Sequence, residues 1–266
     1  MRLLAPIFLA LFAVMLIALG TPDEGEIPSG LLEDAGPVPA ARFADQYGHV
    51  IVGDRRVTRA DIASWMGRYV IGSRTRYFTW NIDGRQPATA TAHGTGYGHW
   101  FVNSYLVGFR PLPIEQPALA LPLLARKKTY TRDHIQHGGA EDIWQTSREA
   151  WITTRGDCED HALILADWLI EMGMDARVAI GEYRGEGHAW VVVIDGGRQY
   201  LLEATDKQTR RRPLPRVEAT RGYLPELQFN RDHFWVNTGH AATRDYAGLH
   251  WERRSRFVRL AQRDAS

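Results

Sequence analysis

The clearest pattern of apolar and polar positions along the chain lies just after Cys158. Apolar residues recur there at the spacing of one helical face, at Ala162, Leu163, Ala166, Leu169 and Ile170. Gly173 follows, and glycine is typical of a helix end because it adopts the left-handed conformation without strain. The pattern predicts an amphipathic helix whose first turn follows Cys158 and which ends at Gly173.

Strand patterns follow this helix. Residues 176–180 predict a short strand, and residues 188–194 and 199–204 are rich in apolar and β-branched side chains. The last two segments flank Asp195 and Gly196, a pair that favours a tight hairpin turn. The order of helix, strand and hairpin predicts an α+β fold in which the helix packs on an antiparallel sheet.

The first half of the chain carries weaker patterns. Residues 58–70 predict a helix capped by Thr58 or Ser64, with four apolar side chains on one face, Ile62, Trp65, Met66 and Tyr69. Residues 89–99, TATAHGTGYGH, are rich in glycine and predict a loop. Because GTGYG has no strand before it and no helix after it in this interpretation, it does not indicate a phosphate-binding loop.

The chain opens with an apolar run. Residues 3–19 follow Arg2 and precede a cluster of acids, which is typical of an export signal. Residues 1–20 therefore predict either a cleaved signal peptide or a membrane anchor, and residues 21–40, rich in proline, glycine and acids, predict a tether. The predicted location is periplasmic, secreted or anchored to the inner membrane.

Composition narrows the range of functions. A formal net charge of +1 gives no general attraction to nucleic acid, so no nucleic-acid partner is predicted. Cys158 is the single cysteine of the chain and has no partner for an intrachain disulfide. It is therefore either a buried apolar residue or a reactive thiol. Its place at a predicted helix start favours the thiol, because the backbone N–H groups there stabilise a thiolate.

The predicted hairpin offers a base for this thiol. A two-residue turn at Asp195 and Gly196 would place His188 directly opposite Glu203, and a four-residue loop would make them diagonal neighbours on the same face. In either register Glu203 can hydrogen-bond the imidazole and orient it. The pattern predicts a catalytic triad of Cys158 as nucleophile, His188 as general base and acid, and Glu203 as the third member.

An acyl-transfer site also needs donors for the oxyanion. The backbone N–H of Cys158 is one candidate, and Trp144 or Gln145 is a candidate for the second. Trp144 also fits as an ordinary core residue. The sequence leaves both interpretations of Trp144 open.

The acids that flank the cysteine, Asp157, Glu159 and Asp160, allow two interpretations. Acids at a helix start oppose the helix dipole and are common for structural reasons, whereas their oxygens would also suit calcium. A third hypothesis replaces catalysis by a metal site of Asp157, Asp160, His161 and His188. One cysteine and no HExxH motif disfavour zinc. The triad itself requires no cofactor, and calcium is the ion that the acids suggest.

These residues resemble a known family. GDCED before a helix, then HAWVVV, then LLEAT, resembles the transglutaminase-like superfamily of papain-type cysteine enzymes, and IWQTSREAWITTRGDCEDHA is similar to bacterial transglutaminase-like cysteine proteinases. The resemblance covers about residues 130–206. It implies a papain-like or transglutaminase-like core and the roles given to Cys158, His188 and Glu203, although the family commonly has aspartate at the third position. Asp157 and Glu159 match acids that bind calcium in the adhesin-trimming members.

The resemblance also implies a division of the chain. Residues 131–240 would form the transglutaminase-like catalytic core, after an N-terminal elaboration of unknown role at 41–130 and before a basic C-terminal segment at 241–266. The leading hypothesis is an exported cysteine acyl-transfer enzyme that cleaves or exchanges an amide bond in an envelope protein or peptide through a thioester, with hydrolysis favoured. The alternative is a non-catalytic transglutaminase-like domain that binds a protein partner in the cell envelope.

Overall fold

A computed structural model describes residues 46–66, 77–95, 98–207 and 214–260. The predicted signal or anchor at 1–20 and the predicted tether at 21–40 lie outside these residues. Within them, no helix has both the length and the apolar character that crossing a membrane would require.

Helices and strands alternate irregularly along the described residues. The helices are α1 (Arg59–Met66), α2 (Ala120–Lys127), α3 (Asp133–Gln136), α4 (Ser147–Ile152) and α5 (Cys158–Glu171). The strands are β1 (Gly48–Val52), β2 (Arg55–Thr58), β3 (Phe78–Trp80), β4 (Thr89–Gly94), β5 (His99–Phe101), β6 (Thr129–Tyr130), β7 (Ile143–Trp144), β8 (Arg155–Gly156), β9 (Asp175–Tyr183), β10 (Glu186–Asp195), β11 (Arg198–Leu202), β12 (Tyr223–Phe229), β13 (His233–Asn237) and β14 (Trp251–Arg259).

One large antiparallel sheet organises the fold. Its order is β11-β10-β9-β12-β13-β14-β1-β2, and each neighbouring pair is antiparallel. The α+β class with a helix on an antiparallel sheet is therefore confirmed. Because β14 pairs with both β1 and β13, strands from the predicted segments 41–130, 131–240 and 241–266 join in one sheet, and the division at 130 and 240 stays a prediction.

Helix α5 lies in the main core against β9 and β10, with α4 and α2 packed on its other sides. Residues 159–169 are all buried. The predicted helix is thus confirmed in place, but the one-sided amphipathic character is wrong, because neighbouring elements cover it all round. It ends as predicted at Gly173, where φ is 84° and the Met174 N–H donates to the carbonyl of Leu169 at 3.0 Å.

The hairpin forms one residue later than predicted. Asp195 pairs with Arg198, so the turn consists of Gly196 and Gly197, whose φ values are 52° and 78°. A tight turn of this kind needs positive φ at both central positions, and two glycines supply it without strain. If this register is continued beyond the pair farthest from the turn, Val191 with Leu202, then His188 and Glu203 are diagonal neighbours on one face. This is the second of the two predicted arrangements.

A smaller sheet corrects the predicted loop at 89–99. Strands β3, β4 and β5 are antiparallel neighbours, and β7 pairs with β4 in parallel. All six residues of β4 are buried. The glycines of this stretch suggested a loop, but alternating threonine and alanine favour a strand, since β-branched side chains fit a pleated surface and alanines allow close packing.

Helix α1 begins as predicted after Thr58. The Thr58 N–H and hydroxyl donate to Asp61 Oδ2 at 2.7 and 2.6 Å, and the Asp61 N–H donates to Thr58 Oγ1 at 3.3 Å. Thr58, not Ser64, is therefore the cap, in a reciprocal arrangement that satisfies donors at the helix start. Ile62 and Met66 are buried as predicted, whereas Tyr69 lies outside the described residues.

A buried carboxylate ties α5 to the surrounding loops. Asp167 is fully buried and accepts hydrogen bonds from the Phe109 N–H at 2.8 Å, the Ser147 hydroxyl at 2.5 Å and Arg231 Nε at 2.6 Å. Arg231 also pairs with Glu171 at 2.5 Å. Burial raises the pKa of Asp167, and the guanidinium of Arg231 opposes this shift. The arginine therefore supports the charged carboxylate inside the core.

We expect Arg231→Met to lower the free energy of unfolding by about 3–5 kcal/mol, because it leaves a buried carboxylate without its cation. Urea denaturation would measure the loss. Arg253→Met is the matched control, since Arg253 is exposed on β14 and its loss should change stability by no more than about 0.5 kcal/mol. Equal effects of the two substitutions would contradict a stabilising role for Arg231.

Candidate active site

The nucleophile candidate stands at the first residue of α5. Cys158 is half-buried and lines a cavity of about 500 Å³, together with His188, Trp144 and Tyr130. Its thiol donates to Glu159 Oε2 at 3.3 Å, and the imidazole of His188 lines the same cavity. The cavity therefore gives a substrate access to the sulfur and to its neighbouring base.

The imidazole of His188 lies between the thiol and a carboxylate. His188 Nε2 is 2.9 Å from Glu203 Oε2. The other ring nitrogen, Nδ1, is therefore the one available to the thiol of Cys158, which also helps to raise the pKa of His188. The structure thus brings the three predicted residues into one row, in which His188 is hydrogen-bonded to Glu203 and shares a cavity with Cys158, although they are 15 to 45 positions apart in the chain.

Two residues that the sequence did not single out hold Glu203. Thr205 donates to Glu203 Oε1 from its N–H at 3.2 Å and from its hydroxyl at 2.7 Å, and the Tyr223 hydroxyl donates to Oε2 at 3.0 Å. Both carboxylate oxygens are therefore engaged and the side chain is oriented. Thr205, two residues after an acid, carried a local signal for such a contact, whereas Tyr223 comes from β12 and carried none.

The charges of this row support one another. Burial alone would lower the pKa of His188, but the hydrogen bonds and charges of Cys158 and Glu203 outweigh it and raise that pKa to about 10. Burial would likewise raise the pKa of Glu203, but the imidazolium and the Thr205 donors lower it on balance. At neutral pH the arrangement therefore favours an imidazolium paired with the carboxylate of Glu203.

The two predicted oxyanion residues occupy different places. Trp144 lines the cavity, but its indole N–H donates to Asp142 Oδ1 at 3.0 Å and its ring stacks on Tyr77. Gln145 directs its backbone N–H and its carboxamide at Asp160, at 3.2 and 2.6 Å. Both side-chain donors thus have other acceptors, and an oxyanion role for either residue stays a prediction.

The three acids predicted as calcium ligands separate into two groups. Asp157 and Glu159 lie with the thiol, and Asp157 also lies with Asp160 and Asp133, a residue that the sequence did not indicate. In each group the ligand atoms are within 4.8 Å of one another. Burial and the neighbouring carboxylates Asp157 and Asp160 raise the pKa of Asp133 to about 9. The oxygens suit calcium by type, but three carboxylates supply only part of its usual shell, so calcium stays a prediction.

The histidines of the alternative metal site do not join these acids. His161 is buried in α5, and its Nδ1 is 3.2 Å from the carbonyl oxygen of Ala204. His188 is bound to Glu203. Among the residues that the structure describes, neither histidine belongs to a group that could hold a metal ion.

A buried lysine contacts the segment that precedes the nucleophile. Lys128 is 2% exposed, and its ammonium group donates to the carbonyl oxygens of Ala150, Thr153 and Arg155 at 2.7, 2.6 and 2.5 Å. Burial lowers its pKa to about 8, although the carboxylate of Asp160 opposes the shift. The lysine thus fixes the segment that leads into Cys158.

Gly156 permits this close packing. A Cβ atom there would lie 2.4 Å from Asp160 Oδ2 and 2.9 Å from Lys128 Nζ. Such distances are too short for any side chain without movement of the acid or the lysine. The groups that approach the backbone at Gly156 are the side chains of Asp160 and Lys128.

Part of the chain matches a known family and a set of curated proteins. The family model of the CEP76 peptidase-like domain matches residues 142–259, which contain the three residues of the row. Centrosomal protein of 76 kDa from Xenopus tropicalis is 30% identical over 113 residues, which cover 38% of this chain and 17% of that protein. The protein of the same name from Homo sapiens is 39% identical over 59 residues, covering 22% and 9%. The chain thus spans less than a fifth of these relatives' length.

One solved structure shows a weak likeness. A chain described as a candidate cysteine protease from Cytophaga hutchinsonii has a TM-score of 0.29 and 16% identity, over 38% of this chain and 32% of that chain. A likeness at this level is too low to assign a fold.

These comparisons correct several predictions. Assignment to the transglutaminase-like superfamily of the bacterial proteinase type is wrong, because the matching model is the CEP76 peptidase-like domain. The exported envelope enzyme, the envelope binding module, the envelope substrate or membrane partner and the periplasmic location are also wrong, because the curated relatives are centrosomal proteins. The short motifs around the cysteine, histidine and glutamate describe a local arrangement that does not identify a family. What the match supports is a peptidase-like domain at 142–259.

Proposed function

We propose that this chain is a cysteine peptidase or amidase with Cys158 as nucleophile, His188 as general base and acid, and Glu203 as the orienting acid. The observation that carries the proposal is the imidazole of His188, held between the thiol and a carboxylate that is itself fixed by Thr205 and Tyr223. The peptidase-like match over residues 142–259 supports it. So does the papain-like placement of the thiol at the start of a helix on an antiparallel sheet.

The row can carry out both halves of an amide hydrolysis. With the proton of the Cys158 thiol already held on the imidazolium of His188, the thiolate attacks the amide carbonyl carbon to form a C–S bond and a tetrahedral oxyanion. Collapse of this intermediate breaks the C–N bond, and His188 gives its proton to the leaving amine, which leaves a thioester on Cys158. Water then attacks the thioester, His188 takes its proton, and collapse releases the carboxylic acid and restores the thiol.

Glu203 and the helix start assist in different ways. Glu203 stabilises the imidazolium that exists in each proton-transfer step and fixes the ring so that Nδ1 faces the sulfur. The backbone N–H groups at the start of α5 stabilise the thiolate before attack. The remaining charge of the intermediate requires oxyanion donors, for which the backbone N–H of Cys158 is the nearest candidate.

The first test is the reactivity of the single thiol. We expect iodoacetamide to label Cys158 rapidly at pH 6.5, because a neighbouring imidazolium favours the reactive thiolate. We expect His188→Asn to slow labelling about tenfold or more, since a nearby opposite charge contributes roughly 1–4 kcal/mol. Mass spectrometry gives the rate without ambiguity, because the chain has one cysteine. Equal rates in the two proteins would refute activation by His188.

The second test concerns the charge on His188. We expect NMR titration of labelled histidines to show a midpoint near 10 for His188, and a lower one in Glu203→Gln, because the neutral amide no longer favours the imidazolium. An elevated pKa means that the ring stays protonated through neutral pH and loses its proton only in the alkaline range. Glu186→Gln, an exposed acid two residues away, is the control and should move the midpoint little. Equal shifts in both variants would contradict a specific role for Glu203.

The third test concerns the segment that presents the thiol. We expect Lys128→Met to lower the free energy of unfolding by about 3–5 kcal/mol and to slow iodoacetamide labelling, because Asp160 and three carbonyl groups lose their buried cation. Lys127→Met removes the neighbouring lysine, whose ammonium lies 5.6 Å from the ring of Trp151, and should change both quantities little. Similar results for the two substitutions would contradict the role given to Lys128.

A further inference from the structure

A second cavity adjoins the first at His188. It has a volume of about 660 Å³, and four residues line both cavities, Tyr130, Glu186, Gly187 and His188. Cys158 lines the first cavity, whereas Glu203 lines the second. The two cavities therefore lie on opposite sides of the imidazole, one toward the sulfur and the other toward the carboxylate.

The wall of the second cavity is largely aromatic and aliphatic. Three tyrosines and four aliphatic residues line it, namely Tyr130, Tyr183, Tyr223, Leu121, Leu201, Leu214 and Pro215. The rings of Tyr183 and Tyr223 stack with their centroids 4.3 Å apart. The Tyr223 hydroxyl is bound to Glu203, so this wall is held in place by the same carboxylate that orients His188.

Apart from the imidazole of His188, the described charged side chains that line the second cavity are acidic. Glu186 and Asp206 line it in addition to Glu203, and within the described parts of the chain no lysine or arginine lines it. An uncharged apolar side chain would gain free energy here by leaving water. The volume falls in the range typical of ligand sites and exceeds that of one side chain, so it can hold a side chain with adjoining backbone.

The direction of proton transfer indicates which part of a substrate lies there. His188 must deliver its proton to the leaving nitrogen, so that nitrogen lies on the imidazole's side of the scissile bond, while the acyl carbon lies at the sulfur. The group attached to the nitrogen then continues past His188 into the second cavity. An amidase that releases ammonia would have no group to place there.

We propose that the second cavity binds a large apolar or aromatic side chain of the residue that follows the scissile bond. This inference rests on the proposed function and gives its substrate class, which is a polypeptide cleaved at an internal peptide bond rather than a side-chain amide. The first cavity, next to the thiol, then holds the acyl part of the chain.

Internally quenched peptides that differ only in the residue after the scissile bond test this directly. We expect kcat/KM for leucine or phenylalanine at this position to exceed that for glycine by about tenfold or more. Mass spectrometry would locate the cleaved bond. Cleavage that depends on Cys158 but shows no preference at this position would overturn the inference and leave the proposed function intact.

A larger side chain in the wall of the second cavity distinguishes a loss of binding there from a general loss of activity. Thr220 lines the second cavity, and we expect Thr220→Trp to lower kcat/KM for the phenylalanine peptide about tenfold while the glycine peptide changes less than about twofold, because the new ring occupies the space of the larger side chain. Ile152→Trp, at a 42% exposed position on α4 that lines neither cavity, is the control. An equal loss for both peptides in Thr220→Trp would count against the cavity assignment.

Binding without turnover distinguishes a failure of the proposed function from a failure of the cavity assignment. In Cys158→Ala, fluorescence anisotropy should show tighter binding of labelled product peptides that begin with phenylalanine than of those that begin with glycine. Such a preference, with no cleavage by the native protein that depends on Cys158, would overturn the proposed function and with it the assignment to a leaving group. Equal binding of both peptides, together with preference-free cleavage, would overturn the inference alone.

Discussion

The packing of one buried helix against two strands determines where every reactive group lies. Helix α5 contacts β9 and β10 along its length, and residues 159–169 have no exposed face. The helix cannot rotate or slide without opening this core. Its first residue, Cys158, is therefore held near the end of the sheet at which strand β10 begins. His188 is the third residue of that strand. The meeting of sulfur and imidazole is thus a consequence of core packing.

Local patterns were sufficient to predict this part of the fold. The apolar spacing after Cys158 located the helix, and the residues around Asp195 located the hairpin, because both elements are encoded by neighbours in sequence. The turn lies at Gly196 and Gly197 rather than one residue earlier, since two positive φ values are needed. The conclusion that His188 and Glu203 share a face held in either register, so this small error did not separate them.

Features that depend on distant partners were not predictable in the same way. The buried strand Thr89–Gly94 was hidden by its glycines and needs its neighbours in the small sheet to be recognised. Tyr223 reaches Glu203 from a strand 20 residues away, and Lys128 lies beside another lysine and has no sequence signal of burial. The family assignment failed for a related reason. Motifs of five or six residues reflect the local geometry of a site and contain little information about the rest of the chain.

The acids around the thiol at first sight oppose an anionic sulfur, and their burial resolves the conflict. Burial raises the pKa of Asp133 to about 9 and that of Asp160 to about 8, and it raises the pKa of Glu159 well above its usual value. Groups shifted in this direction hold protons at neutral pH and carry less negative charge toward Cys158. The ammonium of Lys128 offsets charge that remains on Asp160. His188, whose pKa its surroundings raise, then carries a positive charge beside the thiol.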